Sequence, residues 1–194
     1  MGIPNLNISK FPIVGIGASA GGLSAFEEFF KATPIDSGIA YIVISHLDPN
    51  HTSILPELLQ NVTAMKVSII TEKMEVAPNS VYVIPPNKYL SINKGILYLM
   101  DVPDSYLSNM PIDSFLVDLA QDQGMNSACI ILSGTGTDGT KGLKAIKDEF
   151  GLVIVQAEES AKFNGMPRSA IATDLADFIS QPSEMPQYLV NYFK

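Results

Sequence analysis

The chain has 194 residues, of which 46% are hydrophobic and 16% charged, with a net charge of −8. That balance excludes a disordered chain and fits one hydrophobic core. It disfavours nucleic acid as a partner, because a net acidic surface with scattered Lys and Arg repels phosphate backbones.

Taken in chain order, short apolar runs alternate with amphipathic segments. Residues 1–10, MGIPNLNISK, read as a leader without the features of a signal peptide, and residues 11–194 read as a single domain. FPIVGIG (11–17) is an apolar run ending in glycine, as in a strand buried on both faces. LSAFEEFFKA (23–32) repeats apolar residues at helical spacing, and IAYIVIS (39–45) is a second strand. A helix is expected over 52–61 and a third strand over 66–70. SVYVIPP (80–86) is a further β segment, and YLSINKGILYLM (89–100) carries Asn93-Lys94-Gly95 between alternating arms, a hairpin signal. A helix follows over 112–123, then a strand in SACIILSG (127–134) and a helix over 137–150. The strand GLVIVQ (151–156), a helix starting at Pro167 and a last helix over 184–193 complete the chain. The expected fold class is α/β: a doubly wound, mostly parallel sheet with helices on both faces and an added antiparallel hairpin. No apolar run approaches the roughly 18 residues of a membrane span, so a cytoplasmic protein is expected. The lone Cys129 lies in an apolar run and reads as a small buried hydrophobe. One Cys and two His offer no ordinary zinc spacing, so no metal is expected.

Two readings compete for VGIGASAGG (14–22). Gly15-Ile16-Gly17-Ala18-Ser19-Ala20 fits the glycine turn that receives a dinucleotide pyrophosphate. Gly17-Ala18-Ser19-Ala20-Gly21 fits the elbow that exposes a nucleophilic serine. The first reading also needs an acidic residue closing the second strand. That strand ends Ile44-Ser45-His46, and Asp48 comes two residues late. A second glycine loop, SGTGTDGTKG (133–142), misses the P-loop pattern because Thr140 separates Gly139 from Lys141.

In open α/β sheets the site lies beyond the carboxyl ends of the strands. That rule gathers Ser19, His46 and Asp138 on one rim. A serine needs a base, and the base needs a partner to hold its tautomer. His46 is the candidate base and Asp138 the carboxylate; His51, just before a helix, reads better as a cap or surface residue. The amides at the helix start near Gly21, with a backbone N–H of the Thr135 loop, offer donors to an oxyanion. Each residue also has a plain structural reading, as turn former, cap or satisfied histidine.

GIGASAGG, SHLDPNHTS, VYVIPPN, ILSGTGTDGTKGLKAIK and KFNGMPRSAIAT, in this order and spacing, resemble the catalytic domain of the chemotaxis protein-glutamate methylesterases (CheB) over about residues 11 to 180. The resemblance implies a Rossmann-like methylesterase fold that hydrolyses glutamyl methyl esters on the cytoplasmic helices of chemoreceptors, with deamidation of glutamines in many members. It implies Ser19 as nucleophile, His46 as base and Asp138 as its partner, with no cofactor. HLDPNH and GTGTDG look more like the methylesterase modules of hybrid signalling proteins, fused to receptor methyltransferase (CheR) and sensor domains. Family members usually carry an N-terminal receiver domain, and none is expected here. Ala20 and Thr135 stand where classical members have threonine and methionine, and both positions keep a backbone oxyanion donor. Arg168 is a candidate contact to an acidic receptor helix. The alternative function is a catalytically weak docking or regulatory module of a hybrid signalling protein.

Overall fold

A computed structural model describes residues 11–45, 54–101 and 110–194. Its elements run β1 (Ile13–Ala18), α1 (Gly22–Ala32), β2 (Ala40–Ser45), α2 (Leu55–Gln60), β3 (Lys66–Ile69), β4 (Lys73–Glu75), β5 (Ser80–Val83), β6 (Lys88–Asn93) and β7 (Ile96–Asp101), followed by α3 (Pro111–Gln123), β8 (Ser127–Ile131), α4 (Thr140–Asp148), β9 (Leu152–Gln156), α5 (Gly165–Ile171), β10 (Phe178–Ser180) and α6 (Met185–Tyr192). Seven strands form one sheet in the order β10-β9-β8-β1-β2-β5-β3, every pair parallel. β4, β7 and β6 form a separate antiparallel sheet.

The apolar runs are buried because the sheet is covered on both sides. Successive residues of a strand point to opposite faces. Val14 and Ile16 therefore join Phe26, Phe29 and Phe30 of α1, Leu59 of α2 and Leu189 of α6 in one core. Phe29, Phe30 and Tyr41 meet edge to face within it, and burial pushes the Tyr41 hydroxyl pKa up to about 12. On the other face Ile42, Ile131 and Val153 pack with Phe115 and Leu116 of α3, Leu143 of α4 and Met166 of α5. Leu90, Ile92 and Leu97 of the small sheet extend this second core. Cys129 is fully buried in it, and burial pushes its thiol pKa up.

The doubly wound reading holds, with differences of detail that have physical causes. The hairpin is not an edge of the main sheet. It gains β4 as a third strand and packs on α3, where the Asp122 carboxylate accepts the Lys94 and Gly95 amides of its turn. Lys94 and Gly95 have φ of 53° and 69°, the left-handed pair of a type I′ turn. β4 and β10 were not expected from the sequence, since each has three residues and no apolar run. The strand expected over 80–86 stops at Val83, before Pro85-Pro86. Of the helix expected over 52–61, residues 52 and 53 lie outside the described residues, and helix runs Leu55–Gln60. The helix of the second glycine loop begins at Thr140 rather than 137, after Gly139 at φ 99°. α5 begins at Gly165, two residues before Pro167. Among the described residues no helix is long and apolar enough to cross a membrane.

Candidate active site

β1 is the centre of the sheet, and the chain winds outward from it in opposite directions, to β2 on one side and β8 on the other. The carboxyl ends of β1 and β8 are the switch point at which open α/β sheets form a crevice. Ser19 and Asp138 lie in the two loops that leave these ends.

The loops are stitched together by backbone and by one buried hydroxyl. Leu132 donates to the Gly17 carbonyl at 2.9 Å, and Ser19 donates its N–H to the Ser133 carbonyl at 3.0 Å. The Ser133 hydroxyl lies 2.9 Å from the Ala20 carbonyl and accepts the Phe163 amide at 3.0 Å. Gly134 donates to the Phe163 carbonyl at 2.9 Å, and Met166 donates to the Gly134 carbonyl at 2.9 Å. Buried Gln156, at the end of β9, accepts the Ser133 amide at 2.8 Å and donates to the Ser160 carbonyl. Three loops, after β1, β8 and β9, thus form one platform. Neither Ser133 nor Gln156 was singled out from the sequence. The available signal was a polar residue closing an otherwise apolar run.

The first turn resolves the two readings of VGIGASAGG. Gly15 and Gly17 lie inside β1, not in the turn. A Cβ on Gly15 would sit 2.6 Å from Leu116 Cδ2, and one on Gly17 would sit 2.5 Å from Ile112 Cγ2. These glycines admit α3 against the sheet. The turn itself is Ser19–Gly22, closed by the Gly22 N–H on the Ser19 carbonyl at 3.0 Å. Gly21 takes φ 72° and ψ 6° at its corner, as the third residue of a type II turn requires. The positive φ therefore falls on Gly21 and not on Ser19. The strained-serine form of the elbow is absent, and the serine sits three residues ahead of α1.

Ser19 is half-buried and Ala20 exposed. A Cβ on Gly134 would lie 3.0 Å from Ser19 Cβ, so the β8 loop passes directly beside the serine. Among the described residues no hydrogen bond engages the backbone N–H of Ala20 or Thr135. The first turn of α1 contains no acidic side chain of its own. An open cleft of about 450 Å³ adjoins the platform, lined by Thr135, Gly136, Lys162, Phe163 and Asn164 among others.

Asp138 is buried at 4% exposure, and among the described residues three amides hold its carboxylate. Oδ2 accepts Ile112 N–H at 3.0 Å; Oδ1 accepts Asp113 N–H and Gly139 N–H, each at 2.9 Å. The first two amides belong to α3, which has no side-chain cap of its own, so Asp138 caps a helix from another loop. In return Asp113, in the first turn of α3, accepts the Lys141 and Gly142 amides of α4 at 2.8 Å. Burial raises the Asp113 carboxyl pKa, the Gly142 amide opposes this, and the charge of Asp138 raises it further.

His46 and the alternative His51 lie outside the described residues, as does Asp48. Arg168 is on α5, where its guanidinium meets the Glu158 carboxylate at 2.9 Å, and Asn164 donates to the same oxygen at 3.2 Å. The Arg168 side chain stays 66% exposed in this pair, which is a surface one.

Comparison with known proteins gives one consistent answer. The family described as CheB methylesterase matches residues 14–189. The chain is 32% identical to protein-glutamate methylesterase/protein-glutamine glutaminase 2 of Shewanella denitrificans, over 93% of this chain and 52% of that protein. It is 29% identical to a putative protein-glutamate methylesterase/protein-glutamine glutaminase of Leptospira interrogans, over 88% of this chain and 89% of that one. It thus spans about half the first relative and most of the second. The crystal structure of the Thermotoga maritima CheB methylesterase catalytic domain superposes with a TM-score of 0.87 at 28% identity, covering 94% of this chain and 99% of that one.

Proposed function

The chain belongs to the CheB methylesterase family, and from that premise we propose that it is a serine hydrolase removing methyl esters from glutamate side chains of chemoreceptors. The observation that carries the reading is the junction of the β1 and β8 loops, where Ser19 and Asp138 occupy one rim of the sheet's switch point.

In the mechanism, Ser19 Oγ attacks the ester carbonyl carbon while His46 takes its proton. The oxyanion receives the Ala20 and Thr135 amides, in the field of the uncapped α1 N-terminus. The tetrahedral adduct collapses, and methanol leaves with the proton returned by His46. Water, deprotonated by His46, then attacks the acyl-enzyme and frees the glutamate carboxylate and Ser19. Asp138 keeps the imidazole in the productive tautomer and stabilises its cation. Its three amide bonds suit this role, because a carboxylate fixed at both oxygens does not need to reorganise during turnover. The same acyl chemistry on a primary amide releases ammonia, and glutamine deamidation is included in the proposal. The cleft beside Thr135 and Phe163 is the proposed seat of the substrate side chain. Arg168, 66% exposed in its pair with Glu158, is kept in the proposal as a contact to an acidic receptor helix.

Methanol release from methylated chemoreceptor cytoplasmic fragments tests the proposal. Wild type should release methanol, and Ser19→Ala, His46→Ala and Asp138→Ala should each lower kcat by at least about 10³-fold with their folds intact. A folded wild type that releases none from several receptors, yet binds them, would point to the docking module instead.

A further inference from the structure

We infer that Asp113 is a positioning residue of the active site, acting through Asp138. The inference rests on the function proposed above for its catalytic consequence, and on geometry for the coupling itself.

α3 and α4 exchange caps. Neither helix has a side-chain cap from its own N-cap residue: α3 starts after Met110 and α4 after Gly139. Asp138, just before α4, takes the Ile112 and Asp113 amides of α3, while Asp113 takes the Lys141 and Gly142 amides of α4. A single peptide segment therefore links the two carboxylates. The Asp113 amide holds Asp138 Oδ1, and the Asp113 side chain holds the helix that follows Asp138. Gly139, whose amide also holds Asp138, lies in the field of Asp113 as well. The helices approach closely at this point: a Cβ on Gly142 would lie 2.5 Å from Leu116 Cβ. Two like charges are kept together in a buried place by two helix N-termini, an arrangement that burial alone would oppose.

Removal of the Asp113 carboxylate frees the first turn of α4 and loosens the Gly139 corner. Asp138 keeps its charge but loses its fixed direction. Rate then falls through the orientation of the base's partner, with substrate affinity left alone. An asparagine at 113 retains an oxygen that accepts the Lys141 and Gly142 amides, so it preserves the cross-cap while removing the charge.

The test uses the full chain with Asp113→Ala and Asp113→Asn, assigned by amide NMR and assayed for methanol release. Asp113→Ala should move the Ile112 and Gly139 amide resonances, which report the bonds to Asp138, and lower kcat by about ten- to a hundredfold at unchanged KM, the effect of a slightly misplaced catalytic group. Asp113→Asn should restore both the amide positions and most of kcat. The inference is overturned if the Ile112 and Gly139 resonances stay in place in a folded Asp113→Ala, or if kcat falls equally in Asn and Ala. Should Asp113→Ala fail to fold, Asp113→Asn decides by the same amide readout: displaced Ile112 and Gly139 resonances would overturn the cross-cap. If wild type hydrolyses no methyl ester while the amides respond as expected, the proposed function fails and the coupling of Asp113 to Asp138 stands.

Discussion

The two glycine-rich loops look alike in sequence, and their glycines answer to two different demands. In VGIGASAGG the first two glycines are ordinary strand residues whose missing side chains make room for Leu116 and Ile112 of α3. In SGTGTDGTKG, Gly136 and Gly139 have φ of 85° and 99°, a conformation that side chains disfavour. Gly136 has nothing within 4 Å of a would-be Cβ, so conformation alone requires it. Gly134 combines the demands of packing, since the Met166 sulfur and Ser19 Cβ both crowd its Cβ position. Glycine spacing that resembles a phosphate cradle thus arises here from close packing at Gly15, Gly17, Gly134 and Gly142 and from chain reversal at Gly21, Gly136 and Gly139.

The contrast can be broken by substitution. The largest effect is expected at Gly17. Gly17→Ala forces a methyl to 2.5 Å from Ile112 Cγ2 in the central strand, which should cost about 1–3 kcal/mol by overpacking. Ile112 also donates to Asp138, so activity should fall along with the thermal midpoint; an unchanged midpoint in calorimetry would refute the packing role. Ser133→Ala comes next. It removes the hydroxyl that ties Ala20 to Phe163 and leaves the part-buried Phe163 amide without that acceptor, a loss of about 1 kcal/mol. Denaturant unfolding should show it as a lower midpoint at constant slope, and hydrogen exchange at Phe163 should quicken. The smallest effect is expected at Gly136, where alanine meets no atom but must hold a positive φ, for about 1 kcal/mol. If Gly136→Ala proves costlier than Gly17→Ala, the assignment of conformation to Gly136 and packing to Gly17 is wrong.

The legible parts of the fold were those that local pattern dictates. β1, β2, β8 and β9 are continuous apolar runs, because each is buried on both faces. The β6–β7 turn was legible in Asn93-Lys94-Gly95, whose backbone conformation glycine favours. β4 and β10 were not legible, since three-residue strands exist only by pairing with partners far along the chain. The line between loop and helix at Thr140 was set by the positive φ of Gly139 and by the Asp113 cap from α3 rather than by hydropathy.

By itself the sequence determined the doubly wound class and placed Ser19 and Asp138 at strand ends, because apolar periodicity and glycine punctuation are local properties. Tertiary structure alone decided that Gly15 and Gly17 serve α3, that Ser133 and Gln156 join three loops, and that Asp113 and Asp138 cap each other's helices. The physical reason is that a buried polar group must find a partner wherever the fold offers one. Such partners lie 20 or more residues away in sequence for Ser133 with Gln156 and for Asp113 with Gly142, beyond the reach of any local pattern.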